Sequence, residues 1–368
     1  MKKSARWAAA LAVPAAVVAA GVVVPAVSAT ADVDLPDKTP QQVLELAASS
    51  TGAAYSGTVE QTSDLGLPDL PTSTSGGSSG DTASALELLT GDHTAKVFAD
   101  GASRQRVQVV DDLAERNVIR DGASVWTYDS TTKEATHATL PDAPASDRPS
   151  TLPDGTAVPR TPAELAALVL SSIDPSTTVT ADSDVEVAGR GAYQVVLTPR
   201  DDTTLVSRAV LTVDAETGVP LKVVVDAKGQ SDPALSAGFT SVDFAAPDAS
   251  VFAFTPPAGA NVTDVTVPTR ASGSGHDGAG HDGSGHPAPT VIGEGWGTIV
   301  ATAAASGAEK STAAADPETQ ALLDQLTTKV DGGRLLQTSL VSVLLTDDGR
   351  VFAGAVAPET LQAAVAGD

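Results

Sequence analysis

The sequence predicts an α+β fold built on one long, mostly antiparallel sheet with one or two helices against a face. Three observations carry this reading. Between Asp92 and Leu140, short segments of strand character follow one another, most of them across two or three polar residues. Breaks that short allow hairpins but not crossover helices. A second strand series runs from Thr177 to Phe244. Two amphipathic stretches opened by Thr-Pro each precede strands, giving the order helix, strands, helix, strands.

The elements follow in order. In "PQQVLELAAS" (Pro40 to Ser49), Val43, Leu44, Ala47 and Ala48 recur at helical spacing. Thr39 stands at the N-cap position and Pro40 at the first helical position. "AYSGTVEQTS" then alternates as a strand, and the run from Leu67 to Asp81 is a polar Gly/Ser/Pro loop. The segments "HTAKVFAD", "SRQRVQVVD", "ERNVIRDG", "SVWTYDS" and "EATHATL" read as successive strands. Val107 and Val109 share one face of theirs, with Arg104 and Arg106 on the other, and Trp126 and Tyr128 share a face of the next but one. After a Pro-rich loop, "TPAELAALVLSSI" (Thr161 to Ile173) has Thr161 as N-cap, Pro162 first in the helix and Glu164 in a capping box. Leu165, Leu168, Val169 and Ile173 form its apolar stripe.

In the second series Val195 and Leu197 fall together, as do Leu221, Val223 and Val225, with "AETG" as the intervening turn. Beyond Pro268 the chain carries a Gly/His/Ser segment. It continues through "GWGTIVATAA", a helix from Asp316, two strands around "DDG", and a closing helix "PETLQAAVAG". The expected organisation is a signal peptide or N-terminal membrane anchor over 1–31, a sheet domain over 32–268, a flexible loop over 269–289 and an α+β extension over 290–368, a separate unit or a completion of the main sheet.

Composition narrows the function. Lys2, Lys3 and Arg6 precede an apolar run to Val27, and Ala29-Thr30-Ala31 has the small-x-small form of a cleavage site, so the chain is expected to work outside the cytoplasm. The formal net charge of −24 and the lack of a basic cluster argue against a nucleic-acid partner. With no cysteine, there is no disulfide, thiolate nucleophile or cysteine-based zinc site. His276, His281 and His286 sit in "SGSGHDGAGHDGSGH", where no scaffold fixes their geometry, so a tether is expected rather than a metal site. His93 and His137 are expected at a surface or strand edge. No His-Glu-x-x-His, P-loop or Rossmann pattern is present, and Gly-x-Ser-x-Gly occurs only in low-complexity sequence. No enzyme and no cofactor are expected. Asp111-Asp112, Asp201-Asp202 and Asp347-Asp348 fall in turns, where Asp serves local hydrogen bonding.

Three segments resemble the LolA family of periplasmic lipoprotein carriers and its relatives, the RseB N-terminal domain and mycobacterial lipid-binding lipoproteins. They are "DGASVWTYD" (Asp121 to Asp129), "VDAETGVPLKVVVDAKGQ" (Val213 to Gln230) and "PDASVFAFTPPAGANV" (Pro247 to Val262), in the family's order and spacing. The resemblance implies a half-open, curved antiparallel sheet (an incomplete barrel) with helices covering its concave mouth, where lipid or lipoprotein acyl chains bind. An RseB-like module binding an anti-sigma factor or another envelope membrane protein is the alternative. The aromatic content of 3% leaves a large sheet lined by Val, Ala and Thr, with room for an apolar ligand. A sixteen-carbon chain would contribute on the order of 10 kcal/mol before entropic losses. The candidate cavity or lid residues are Val43, Leu44, Val107, Val109, Trp126, Leu165, Leu168, Val169, Val195, Leu197, Leu221 and Val223.

Overall fold

The computed structural model describes residues 35–67, 91–111, 114–140, 176–266, 290–302 and 324–367. The calls for the signal segment, the helix at Thr161, the Gly/His/Ser segment and most of the helix from Asp316 lie outside the described residues.

Helix α1 (Pro40–Ser49) occupies the expected span. The Thr39 hydroxyl accepts from Gln42 N at 3.3 Å and Gln42 Oε1 accepts from Thr39 N at 2.8 Å, a reciprocal cap that satisfies two otherwise orphaned amides. Strands β1 (Ala54–Ser63), β2 (His93–Asp100), β3 (Arg104–Asp111), β4 (Ala114–Asp121), β5 (Ser124–Asp129) and β6 (Glu134–Thr139) follow. A second run comprises β7 (Thr177–Val187), β8 (Arg190–Pro199), β9 (Val206–Asp214), β10 (Pro220–Ala227) and β11 (Leu235–Asp243), and β12 (Asn261–Thr266) comes later.

These form one twelve-stranded sheet in the order β12-β6-β5-β4-β3-β2-β1-β11-β10-β9-β8-β7. Two five-strand meanders, β2 to β6 and β7 to β11, are thus joined through β1, and β12 adds to β6 in parallel. The sheet is curved and not closed into a barrel. At one edge, β7 carries a bulge between Asp182 and Val185 and an acidic run, devices that discourage pairing with another chain. In β1, a Cβ on Gly57 would meet the Phe239 ring and Ser241 O, at 2.8 and 2.3 Å, so glycine is required where the β1–β11 ladder shifts register.

The extension forms a sheet of its own rather than completing the first. Strands β13 (Thr290–Ile292), β14 (Ile299–Thr302), β15 (Thr328–Val330), β16 (Gly333–Gln337), β17 (Ser342–Thr346) and β18 (Val351–Gly354) lie in the order β13-β14-β18-β17-β16-β15. Helix α2 (Pro358–Gly367) buries Leu361 with Ile299, Leu344, Phe352 and Val356. Main-chain bonds fasten this unit to the large sheet. Leu205 N donates to Ala355 O at 2.8 Å, Ala357 N to Thr203 O at 3.2 Å, and Ser339 N to Leu65 O at 2.9 Å. Trp296 Nε1 donates to Thr177 Oγ1 at 2.7 Å.

α1 packs on one face of β7, β8 and β9, here the helix face. Val43, Tyr193, Val195 and Val213 are fully or nearly fully buried there, with Leu44, Leu46, Leu197 and Leu211 around them. The turn after β9 seats the helix. Gly218 has φ +76°, and a Cβ there would lie 2.1 Å from Leu46 O. Gly218→Ala is therefore expected to cost more than the ~1–2 kcal/mol of a left-handed L-residue, because a backbone clash adds to it. A urea melt followed by circular dichroism measures this, and an unchanged midpoint would mean that α1 is not seated on this turn.

Candidate functional site

Strand register assigns the candidates to faces. Directly opposed residues point the same way, so the helix face can be followed from α1 across the sheet. Tyr193, Val195 and Leu197 stand opposite Val213, Leu211 and Ala209. Leu211 stands opposite Val223, Val223 opposite Ala237, and Ala237 opposite Gln61. From β1 the face passes through Val59, Ala95 and Val109, and through Gly57, Val97, Val107 and Val118. Val43, Leu44, Val107, Val109, Val195, Leu197 and Val223 therefore share this face or pack on it, and alternation along β10 adds Leu221.

Their environments differ. Val43, Val195 and Leu221 are fully buried and Val109 is 7% exposed, so their surface is already used in packing. Val223 is 39% exposed and its face-mate Val118, which sequence reasoning did not single out, is 51% exposed. Between them the face mixes small residues, Gly57, Ala95 and Ala237, with Val59, Val97, Val107 and Phe239, whose ring lies against Gly57. A half-open recess of about 180 Å³ lies on this face beside the C-terminal end of α1, lined by Ser50, Thr51, Tyr55, Ala99, Gln105, Val219 and Pro220 among others. Burial raises the Tyr55 hydroxyl's pKa above the usual phenol value.

Trp126 is not on this face. It pairs with Ile119, which pairs with Arg106, so it points to the opposite side from Val107 and Val109. Alternation fixes parity only within a strand, so the sequence does not say whether Trp126 shares a face with Val107. The register of β3 on β4 and β4 on β5 decides the side, and that register places Trp126 with Tyr128 under Phe254, ring centroids 5.4 and 5.7 Å away. On this aromatic face the segment after β11 forms a cover. Phe252 is buried, the Arg104 guanidinium lies 5.9 Å from its ring centroid, and Arg106 Nη1 donates to Val251 O at 3.0 Å. Leu165, Leu168 and Val169 lie outside the described residues.

His93 corrects another expectation. It is 7% exposed on the helix face opposite Gln61, not a surface residue, because β2 is a central strand with both edges paired. His137 is half-buried on the aromatic face and stacks on Trp126, centroids 4.3 Å apart. Its Nε2 lies 3.0 Å from Ser124 Oγ and its Nδ1 3.1 Å from Asp264 Oδ1. Among the described residues, no group of three or more His, Asp or Glu is placed to hold a metal ion.

The other strong polar site is structural. Asp214 is fully buried and Arg190 binds it with two parallel bonds, Nε to Oδ2 at 2.8 Å and Nη2 to Oδ1 at 3.1 Å. Thr217 N and Oγ1 both donate to Asp214 Oδ1 at 2.8 Å, and the guanidinium lies 5.0 Å from the Phe244 ring centroid. This explains the Asp-x-x-x-Gly-x-Pro pattern: the aspartate is the hub of the β9–β10 turn.

A second, open space of about 440 Å³ lies where the sheets meet, lined by Leu65, Gly66, Gln230, Leu326, Leu335, Gln337 and Ser339 among others. Gln230 donates to Asp64 O at 3.3 Å, while its Oε1 is buried with no hydrogen-bond partner.

No protein-family model matches the chain, and no curated protein does. Solved structures do. The complex of Pseudomonas aeruginosa MucA and MucB matches at 16% identity and TM-score 0.44, over 88% of this chain and 96% of that one. MucB by itself matches at 15% and TM-score 0.40, over 88% and 94%. A LolA superfamily protein from Nitrosomonas europaea matches at 10% and TM-score 0.25, over 59% and 99%.

At Asp214, burial acts to raise the carboxyl's pKa, but the bonds from Arg190 and Thr217 outweigh it and hold it below the usual carboxylate value. The stabilisation is therefore complete above about pH 4, the ordinary aspartate range, and is lost as pH falls through the lower folded-state value. Asp214→Asn is expected to be less stable at pH 7 by about 2–3 kcal/mol, below the full cost of breaking a buried pair because Arg190 remains partly exposed. Its stability should also fall less on acidification than that of the parent. Urea melts at pH 7 and pH 3 test both points, and parallel pH curves would remove Asp214 as the acid-sensitive group.

Proposed function

We propose that the chain is an exported cell-envelope protein that binds the acyl chain of a lipid or lipoprotein along the helix face of the large sheet, for carriage or sensing. The observation that supports this most is the pair of exposed valines on that face. Val118 and Val223 stand open there, beyond the strands that α1 covers and on either side of a buried stretch that includes Val59, Ala95 and Val97. The likeness of three segments to lipoprotein carriers points the same way. The half-open recess of about 180 Å³ is below the ~300 Å³ at which small-molecule pockets usually begin. A long tail would thus lie along the face, with one end entering beside Tyr55 and Gln105. Leu165, Leu168 and Val169 are proposed as the lid over it. Among the described residues no helix is long and apolar enough to cross a membrane.

A second reading draws on the open space between the sheets. Its mixed lining of Leu65, Leu326 and Leu335 with Gln230 and Gln337 suits a peptide, and MucB has been solved with MucA. Here the chain would be an RseB-like regulatory module for an anti-sigma factor or other envelope protein.

Binding of a fluorescent fatty acid, with native mass spectrometry of the protein as purified, tests the first reading. Val118→Asp and Val223→Asp are each expected to weaken binding roughly 10-fold or more, the worth of one buried valine contact, without moving the urea midpoint. A parent protein that carries no lipid and takes up no fatty acid would overturn it. Retention of one envelope protein by the delipidated chain, lost in Gln337→Arg, would favour the second reading instead.

A further inference from the structure

The aromatic face holds an arrangement that the binding reading does not use. One hairpin and a third strand distant in sequence bring a hydroxyl, an imidazole and a carboxylate into one hydrogen-bonded row. Ser124 opens β5, His137 lies on β6, and Asp264 stands directly opposite His137 on β12. The hydroxyl meets one ring nitrogen at 3.0 Å and the carboxylate meets the other at 3.1 Å.

We propose that Ser124, His137 and Asp264 form a hydrolytic site for acyl esters on the aromatic face. The carboxylate accepts a hydrogen bond from Nδ1–H, which leaves Nε2 as the acceptor, and an acceptor at Nε2 is what draws the proton of the Ser124 hydroxyl. Both separations fall inside the range that general-base catalysis needs. Two supports hold the ring in place. Trp126 lies nearly parallel to it, with an interplanar angle of 17°, and Phe254 backs Trp126 in turn. Asp264 is 82% exposed, so its charge is screened by water; its part is to select the tautomer and aim the ring rather than to supply a strong field. The partly exposed imidazole leaves the site open to solvent. Trp126 stands two residues from Ser124 on the same strand face and offers an apolar wall to the acyl group.

In the reaction, Ser124 Oγ attacks the ester carbonyl carbon while its proton passes to His137 Nε2. The carbon–oxygen bond to the alcohol breaks, and the alcohol leaves with that proton. Water then attacks the acyl-serine ester, again losing its proton to Nε2. The carboxylic acid departs and the proton returns to Ser124. No oxidant or metal is needed. The usual motif searches miss this site because its members are 13 and 127 residues apart in sequence. It lies across the sheet from the proposed acyl strip, so either can fail without the other.

The test is reaction of the full-length protein with a fluorophosphonate probe, read by intact mass and peptide mapping, alongside hydrolysis of para-nitrophenyl acetate. One adduct on Ser124 is expected. Ser124→Ala should abolish it and His137→Gln should slow it about 100-fold or more, the usual worth of a general base. Asp264→Asn, at an exposed position that the fold does not need, should also slow it and serves if His137→Gln misfolds. Ser130→Ala should leave it unchanged, since Ser130 Oγ accepts from Glu115 N rather than facing an imidazole. Absence of an adduct on Ser124, or labelling at the parental rate in folded His137→Gln or Asp264→Asn, would overturn the proposal.

Discussion

The two-pronged contact between Arg190 and Asp214 sits where the large sheet, its helix and its charge balance meet. A buried carboxylate is costly alone, and here each of its oxygens is occupied by the guanidinium or by Thr217. With those bonds made, the turn from β9 to β10 takes one shape, and Gly218 comes up against the backbone of Leu46. α1 is thereby pressed onto Tyr193, Val195 and Val213. Tyr193 carries the constraint further, since its hydroxyl donates to Pro36 O at 3.0 Å and ties down the segment leading into the helix. The same guanidinium lies on the Phe244 ring, just beyond the end of β11. One ion pair thus positions the helix, the turn and the start of the aromatic cover.

From there the two faces of the sheet are treated differently. The helix face is closed by α1 at one end, holds Tyr55, Phe239 and Tyr193, and leaves Val118 and Val223 exposed. The aromatic face is covered by a crossing segment that contributes Phe252 and Phe254 and is held by Arg104 and Arg106. Trp126 and Tyr128 meet Phe254 beneath that segment. The two faces thus differ in what covers them, a crossing segment on one and a helix over three strands on the other.

Much of this was legible in the sequence. The cap at Thr39 and Pro40 fixed the start of α1, because the residues that signal a helix N-terminus also make its bonds. The polar breaks of the first meander marked its hairpins for the same reason, and the closing helix occupies the span its sequence indicated. Faces were harder. Alternation separated Val107 from Arg106, and Trp126 from Thr127, but no local rule says which side of β5 matches which side of β3. That depends on register, so the sequence left the side taken by Trp126 open. His93 was misread because burial in a central strand depends on both neighbours, and one of them, β1, lies some thirty residues back across a long polar segment. Asp264 could not be linked to His137 at all, since their meeting depends on a parallel pairing at the far edge of the sheet.

That parallel pairing also bears on how the molecule forms. β1 to β11 and β6 to β12 both join segments separated by well over a hundred residues. β12 can dock only after the intervening chain has built the second meander and run back across the aromatic face. Loop-closure entropy of this size makes such ladders slow to form. A chain emerging N-terminus first would therefore leave the edge of β6 exposed until β12, 127 residues later, is made. β12, the last strand of the large sheet to arrive, is the one that hides it, so an escort protein would have its opportunity at that edge.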